Sequence, residues 1–166
     1  MRSRIFALCI STTFLIIVGM PSKAQDLSKY HALFISKFVE QIQWPQGNEK
    51  LTVGVMGNSP VNSALASIPK AKQGKLVIKT ITNESQVSGC DMLFLPNAQS
   101  SKLAGVKQAA QGNNVLIITE SDLAKKGAGI SFYVEDSKLR FVINKSEMDA
   151  SGLKVSNTLI SMAKVI

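Results

Sequence analysis

The side chains able to do chemistry in this 166-residue chain are few and scattered. His31 is the one histidine, and the two cysteines, Cys9 and Cys90, stand far from it in sequence. A single imidazole and a lone thiol do not supply the three or four ligands a zinc site needs. The stretch "GVMGNSP", residues 54–60, follows an apolar run as a phosphate loop would, yet it lacks both the Gly-Lys-Ser/Thr ending and the G-x-G-x-x-G spacing. Ser59 sits in Gly57-Asn58-Ser59-Pro60-Val61, which misses the second glycine of a nucleophile elbow. The acid pair Glu120/Asp122 reads as a helix cap and Glu135/Asp136 as a hairpin tip. No nucleophile–base pair or metal cluster is assembled from these residues, so the expectation is a protein without catalysis and without a cofactor.

The elements that would position any site begin after a leader. Arg2 and Arg4 precede an apolar run over residues 5–18, followed by Gly19, Pro21 and the small-residue ending Ser22-Lys23-Ala24. This is the layout of a secretory signal peptide over residues 1–24, with cleavage after Ala24 and export to the periplasm. The run is interrupted by Ser11, Thr12 and Thr13 and is shorter than the roughly 20 residues of a spanning helix. Cys9 lies inside the run, where a lipidated cysteine would come after it.

The remaining chain, residues 25–166, has the size of one α/β domain. Loss of Arg2, Arg4 and Lys23 leaves 16 basic residues against 11 acidic. Only Arg140 among the sixteen is an arginine, and the lysines are dispersed. Nucleic-acid readers cluster arginine with aromatics, so the charge describes a solvated surface with some attraction for acidic partners. With Cys90 alone the exported chain closes no internal disulfide, and burial must hold it together.

Along residues 28–44 the apolar positions Tyr30, Leu33, Phe34, Phe38, Val39 and Ile42 recur at steps of three and four, predicting a first helix ended by Pro45 and Gly47. "LTVGVMG" predicts a buried strand, and Asn58 or Ser59 with Pro60 opens a short helix to about Ile68. "KLVIKTI", "DMLFLP" and residues 115–119 predict three more strands. Residues 100–111 predict a helix between the last two, and residues 121–126 a capped helical turn. "GISFYVED" and "SKLRFVIN" are too close in sequence for a crossover and predict an antiparallel hairpin. A last helix is expected over residues 155–165. The predicted architecture is a three-layer α/β sandwich: a mixed, mainly parallel sheet with helices on both faces, ending in the hairpin and a helix.

Four stretches taken together resemble the YfiR family of exported bacterial regulators. They are "FVEQIQWP" from Phe38, "LTVGVMGNSP" from Leu51, "GAGISF" from Gly127, and "RFVIN" from Arg140 with "GLKVSNTLISMA" from Gly152 after it. The match is collinear over nearly all of the exported chain. The resemblance implies a periplasmic, non-catalytic α/β protein, dimeric in its best-known members. It would bind the periplasmic sensor domain of an inner-membrane diguanylate cyclase, hold it inactive and so control cyclic-di-GMP signalling and biofilm behaviour. An outer-membrane lipoprotein can compete for the regulator in such systems.

Two candidate sites stand out. The elbow "KSEMDASGL" carries Lys145, Glu147 and Asp149 beside apolar Met148 and Leu153, the composition of a protein contact with apolar anchors in a charged rim. The same two apolar residues would equally plug the end of the core. The alternative function, a small-ligand binding domain, would use the strand ends, with Gly57, Asn58, Ser59, Asn97 and Glu120 around helix starts whose N–H groups are free.

Overall fold

The computed structural model describes the backbone from residue 23 and the side chains from residue 27 to residue 166. The leader, with Arg2, Arg4 and Cys9, lies outside the described residues, its last two backbone positions apart. No described helix is long and apolar enough to cross a membrane.

Helix α1 (Lys23–Gln41) turns a buried stripe of Ser28, His31, Ala32, Ile35, Phe38 and Val39 toward the sheet. Steps of three residues, with two steps of one, keep these side chains on one face of a 3.6-residue repeat. The helix stops three residues before the predicted end. Asn48 folds back and donates to the Val39 and Ile42 carbonyls while accepting from the Trp44 N–H, so the open carbonyls at the helix end are satisfied without another turn. Ile42 and Gln43 become strand β1 (Ile42–Gln43), paired antiparallel with β8 (Lys154–Val155).

A seven-stranded sheet forms the middle layer, in the order β3 (Leu76–Ile81), β2 (Leu51–Met56), β4 (Met92–Leu95), β5 (Leu116–Thr119), β6 (Ile130–Glu135), β7 (Lys138–Ile143) and β9 (Lys164–Val165). Every neighbouring pair is parallel except β6 and β7. That hairpin closes through Asp136 and Ser137, both with positive φ (49° and 59°), the pair of left-handed residues that matches the twist of the strands. The mixed, mainly parallel sheet and its late hairpin are as the sequence predicts.

Strand alternation divides the interior in two. Val53, Val55, Met92, Phe94, Leu116, Ile118, Phe132 and Phe141 face the core under α1, α2 (Pro60–Ala66) and α6 (Asn157–Ser161). Met56, Ile81, Leu93, Leu95 and Ile117 face the other core, covered by α4 (Leu103–Ala110) and the 3₁₀ turn Glu84–Gly89. Helices therefore lie on both faces. Beyond α2 a further short helix, α3 (Pro69–Lys72), leads to the edge strand β3.

Three predicted helices differ in detail. The helix expected over residues 100–111 begins as a 3₁₀ turn, Asn97–Lys102, and becomes α4 only at Leu103. The capped turn expected over 121–126 is a 3₁₀ turn, Ala124–Lys126. The last helix, expected over 155–165, shrinks to α6, started by the Ser156 hydroxyl accepting from the Leu159 N–H at 3.1 Å. Its two ends are taken by strand partners: Val155 pairs with Ile42, and Lys164 and Val165 pair with Val142 and Ile143. Distant pairing here overrides a helical spacing only eleven residues long.

Gly54 sits at the centre of β2, where a Cβ would meet the Cys90 Sγ and the Ile81 Cγ1 at 2.7 Å. Both neighbours are buried, so there is no room to give. Gly54→Ala is expected to lower unfolding free energy by about 1–3 kcal/mol, read as a reduced urea midpoint; an unchanged midpoint would show that the second core is loosely packed.

Candidate functional site

The elbow is a helix, α5 (Lys145–Ala150), held by its own residues. Asn144 caps it, its side-chain oxygen accepting from the Glu147 N–H at 3.2 Å while its amide donates to the Ala124 carbonyl at 2.9 Å. Lys145 pairs with Asp149 at 2.7 Å, and Glu147 reaches Lys107 of α4 at 2.8 Å, across a cleft of about 400 Å³ between the two helices. The rim charges are thus matched within the chain.

Met148 and Leu153 are 1% and 2% exposed and belong to the core under α1. Of the two roles open to them, plugging the core is the one the structure shows. The apolar anchors expected at this elbow are not at the surface. Gly129 explains part of it: a Cβ there would come within 3.1 Å of the Met148 sulfur, so the hairpin entry is shaped to admit this side chain.

At the strand ends the five candidate residues gather in two groups. Gly57, with φ of 72°, donates its N–H to the Ile81 carbonyl at 2.7 Å and lies under the Gln99 side chain. Asn58 is exposed beside it. Ser59 caps α2, accepting from Val61, and Asn62 returns a bond to the Ser59 N–H, a reciprocal capping arrangement. Asn97 donates its N–H to the Glu120 carboxylate at 2.7 Å. An anion held here would need free N–H groups, and both helix starts already have a partner: Ser59 at one, Glu120 at the other.

Beneath this edge lies an arrangement that spacing could not disclose. The His31 ring is 1% exposed, 4.7 Å from Phe132 and 5.4 Å from Phe94 by ring centroids, and neither ring nitrogen has a hydrogen-bond partner. Burial pushes its imidazole below the ordinary value, and the negative charge of Glu120 opposes that shift. On the opposite face of the sheet from Ile118, Ile130 and Phe132, two buried hydroxyls, Thr119 and Ser131, meet at 2.7 Å. Thr119 also donates to the Ser121 carbonyl, and Ser131 accepts from the Leu123 N–H, so the loop after β5 is pinned from inside. Both sit in strands as ordinary polar residues, and only the parallel pairing of Thr119 with Ser131 brings them together.

Chemically the site is poor in reactive groups. Ser59 is engaged as a helix cap, and His31 bonds to no hydroxyl. Cys90 is buried and unpaired, and burial, its largest influence, pushes the thiol up and away from the reactive thiolate. Among the described residues no three metal-ligating side chains come together.

A model of the YfiR/HmsC-like family matches residues 28–164. Two solved structures share the fold. A conserved domain protein from Vibrio cholerae O1 biovar eltor strain N16961 aligns over 83% of this chain at 16% identity with a TM-score of 0.57. The ABC domain in complex with L-Trp from Streptococcus pneumonia aligns over 84% at 14% identity, also with a TM-score of 0.57. The chain spans 59% and 60% of the lengths of those two proteins.

Two outcomes test these sites. Met148→Ala is expected to cost about 2–5 kcal/mol of stability, as other emptied core positions do, seen as a lower melting temperature; a surface anchor would leave it unchanged. For His31 the folded state favours the neutral ring, so the unfolded state binds more protons at acid pH. Its contribution is complete above the ordinary value of 6.5 and is lost as pH falls below it. The melting temperature should drop between pH 7 and pH 5, and His31→Leu should flatten that part of the profile; an equal drop in both proteins would place the acid sensitivity elsewhere.

Proposed function

The chain belongs to the YfiR/HmsC-like family, and from that premise we propose that it is a periplasmic regulator without catalytic activity. It binds the periplasmic sensor domain of an inner-membrane diguanylate cyclase and holds the enzyme inactive, which lowers cyclic-di-GMP. The observation that carries this reading is the family match running unbroken over residues 28–164. The leader pattern ending at Ala24 supports export. An outer-membrane lipoprotein competing for the same chain is the natural release mechanism within this reading, and self-association into a dimer belongs to it as well.

A second reading, a periplasmic domain that senses a small ligand, is favoured by one observation: the same fold occurs in a domain crystallised with L-Trp. The strand-end residues Gly57, Asn58, Ser59, Asn97 and Glu120 are where such a ligand would sit.

The exported chain used as bait on solubilised inner membrane should recover a multi-pass diguanylate cyclase, and deleting the gene for the chain should raise cellular cyclic-di-GMP. Recovery of a transporter alone, with unchanged cyclic-di-GMP, would retire the cyclase reading. In thermal-shift titrations with L-Trp and a metabolite panel the regulator is expected to show no saturable rise. A ligand present at 100 times its Kd would stabilise by about 2.7 kcal/mol, and such a rise would establish the second reading instead.

A further inference from the structure

The outer side of α1 does not close onto α2. Lys29 and Leu33 on α1 face Pro60, Ser63, Ala64, Ser67, Ile68 and Pro69 across an open groove of about 750 Å³. Its floor is small or buried: Ala32 and Ile68 are 1% and 7% exposed. Its lip is apolar and wet, since Leu33 is 56% exposed; beside the groove on the same helix Tyr30, three positions earlier, is 55% exposed. Two such side chains on one face of a helix leave an apolar surface in water that the described residues do not cover.

The charge around the groove is one-sided. Residues 28–41 and 60–72 carry Lys29, Lys37, Lys70 and Lys72 against one carboxylate, Glu40. That carboxylate is consumed at the far end of the helix pair, where Lys70 meets it at 2.9 Å and Lys37 at 3.1 Å. Among the described residues Lys29, on the groove wall, and Lys72 have no ion pair. Helix α2 itself has no charged residue, so nothing in the walls repels an acidic visitor.

We propose that this groove between α1 and α2 is the docking surface for the regulated protein, which inserts an apolar side chain over Ala32, Ala64 and Ile68 and sets flanking carboxylates against Lys29. The proposal rests on the function argued above and gives it a surface. The shape selects a protein over a lipid bilayer, because a concave floor receives an inserted side chain whereas a membrane takes a convex amphipathic face. It also moves the contact away from the α5 elbow, whose charges are already matched within the chain.

The test is binding of the purified periplasmic domain of the cyclase to the exported chain by titration calorimetry. Leu33→Glu and Ser63→Glu each place a carboxylate in the groove mouth at an exposed position and are expected to weaken binding at least tenfold without moving the melting temperature. Lys29→Glu should weaken it and reverse the loss of affinity with added salt. Lys145→Glu, on the elbow, should bind as the unmodified chain does. If the unmodified chain binds and both groove variants bind within threefold of it, the groove is not the docking surface and the cyclase reading survives. If the unmodified chain does not bind the domain, both fall. If the variants instead abolish self-association measured by sedimentation, the occupant is a second copy and the proposal is overturned. Should Leu33→Glu alone lower the melting temperature, Ser63→Glu decides.

Discussion

The structure depends on one aromatic seam. Phe34 and Phe38 of α1 pack against Phe132 and Phe141, with ring centroids 5.3–5.9 Å apart, and His31 continues the row toward Phe94. Phe132 and Phe141 are themselves opposite each other across the antiparallel hairpin. The seam thus joins the first helix to the late hairpin, elements far apart in sequence. Aromatic pairs of this kind contribute about 0.5–1.5 kcal/mol each beyond their burial, and several sharing one helix fix both its height and its rotation over the sheet. With no disulfide among the described residues to tie the chain ends, this packing does the equivalent work.

The segments joined to the C-terminal end of α1 are anchored by that placement. The buried Trp44 donates its indole N–H to the Asp91 carbonyl at 3.2 Å, and Asp91 in turn accepts from the Thr52 N–H and the Gln46 amide. The end of the first helix is therefore bonded to the start of the central strands. At the same end Gln41 accepts from both the N–H and the hydroxyl of Ser156, which brings the C-terminal segment under the helix and lets β8 pair with β1. Polar groups near these joints find partners inside the chain, and so do the charges of the α5 elbow and, at the strand ends, Ser59 and Glu120. Surfaces whose groups are already matched gain little from a partner, because a new contact must first break what is there. Among the described residues α1 keeps unmatched groups in the buried ring of His31 and in the exposed Leu33, Tyr30 and Lys29.

Much of the fold was legible because its strands are short apolar runs bounded by glycine, proline or asparagine, and because Glu135, Asp136 and Ser137 alone separate the last two apolar runs and leave room only for a hairpin. Ser59 as a cap was legible for the same local reason, a hydroxyl before Pro60. The end of the chain was not. Val155, Leu159, Ile160 and Ala163 have helical spacing, yet β8 and β9 are decided by Ile42, Val142 and Ile143, which no local window contains. Met148 stands among Lys145, Glu147 and Asp149 and reads as a surface residue until Gly129, nineteen positions earlier, is seen to make space for it. The Glu120 carboxylate on the Asn97 N–H, and the groove beside Leu33, are likewise products of packing between elements, where sequence spacing carries no signal.

The two faces of α1 answer to different forces on one rigid body. Its inner face is held by ring packing and by keeping an imidazole neutral away from water; its outer face presents apolar surface and lysine charge to whatever approaches. A helix of about five turns rotates as a unit, so a shift that relieves His31 must also turn Leu33 relative to α2 and change the width of the groove. The sheet cannot absorb such a shift, because β4, β5 and β6 are buried where α1 crosses them. The other wall is α2, a seven-residue helix capped by Ser59, buried through Val61 and Leu65 and bonded to the edge strand through Asn62 and Thr80. The groove therefore lies between two helices anchored in one core, and it is the exposed Leu33 wall, not the buried floor, that a turn of α1 would move.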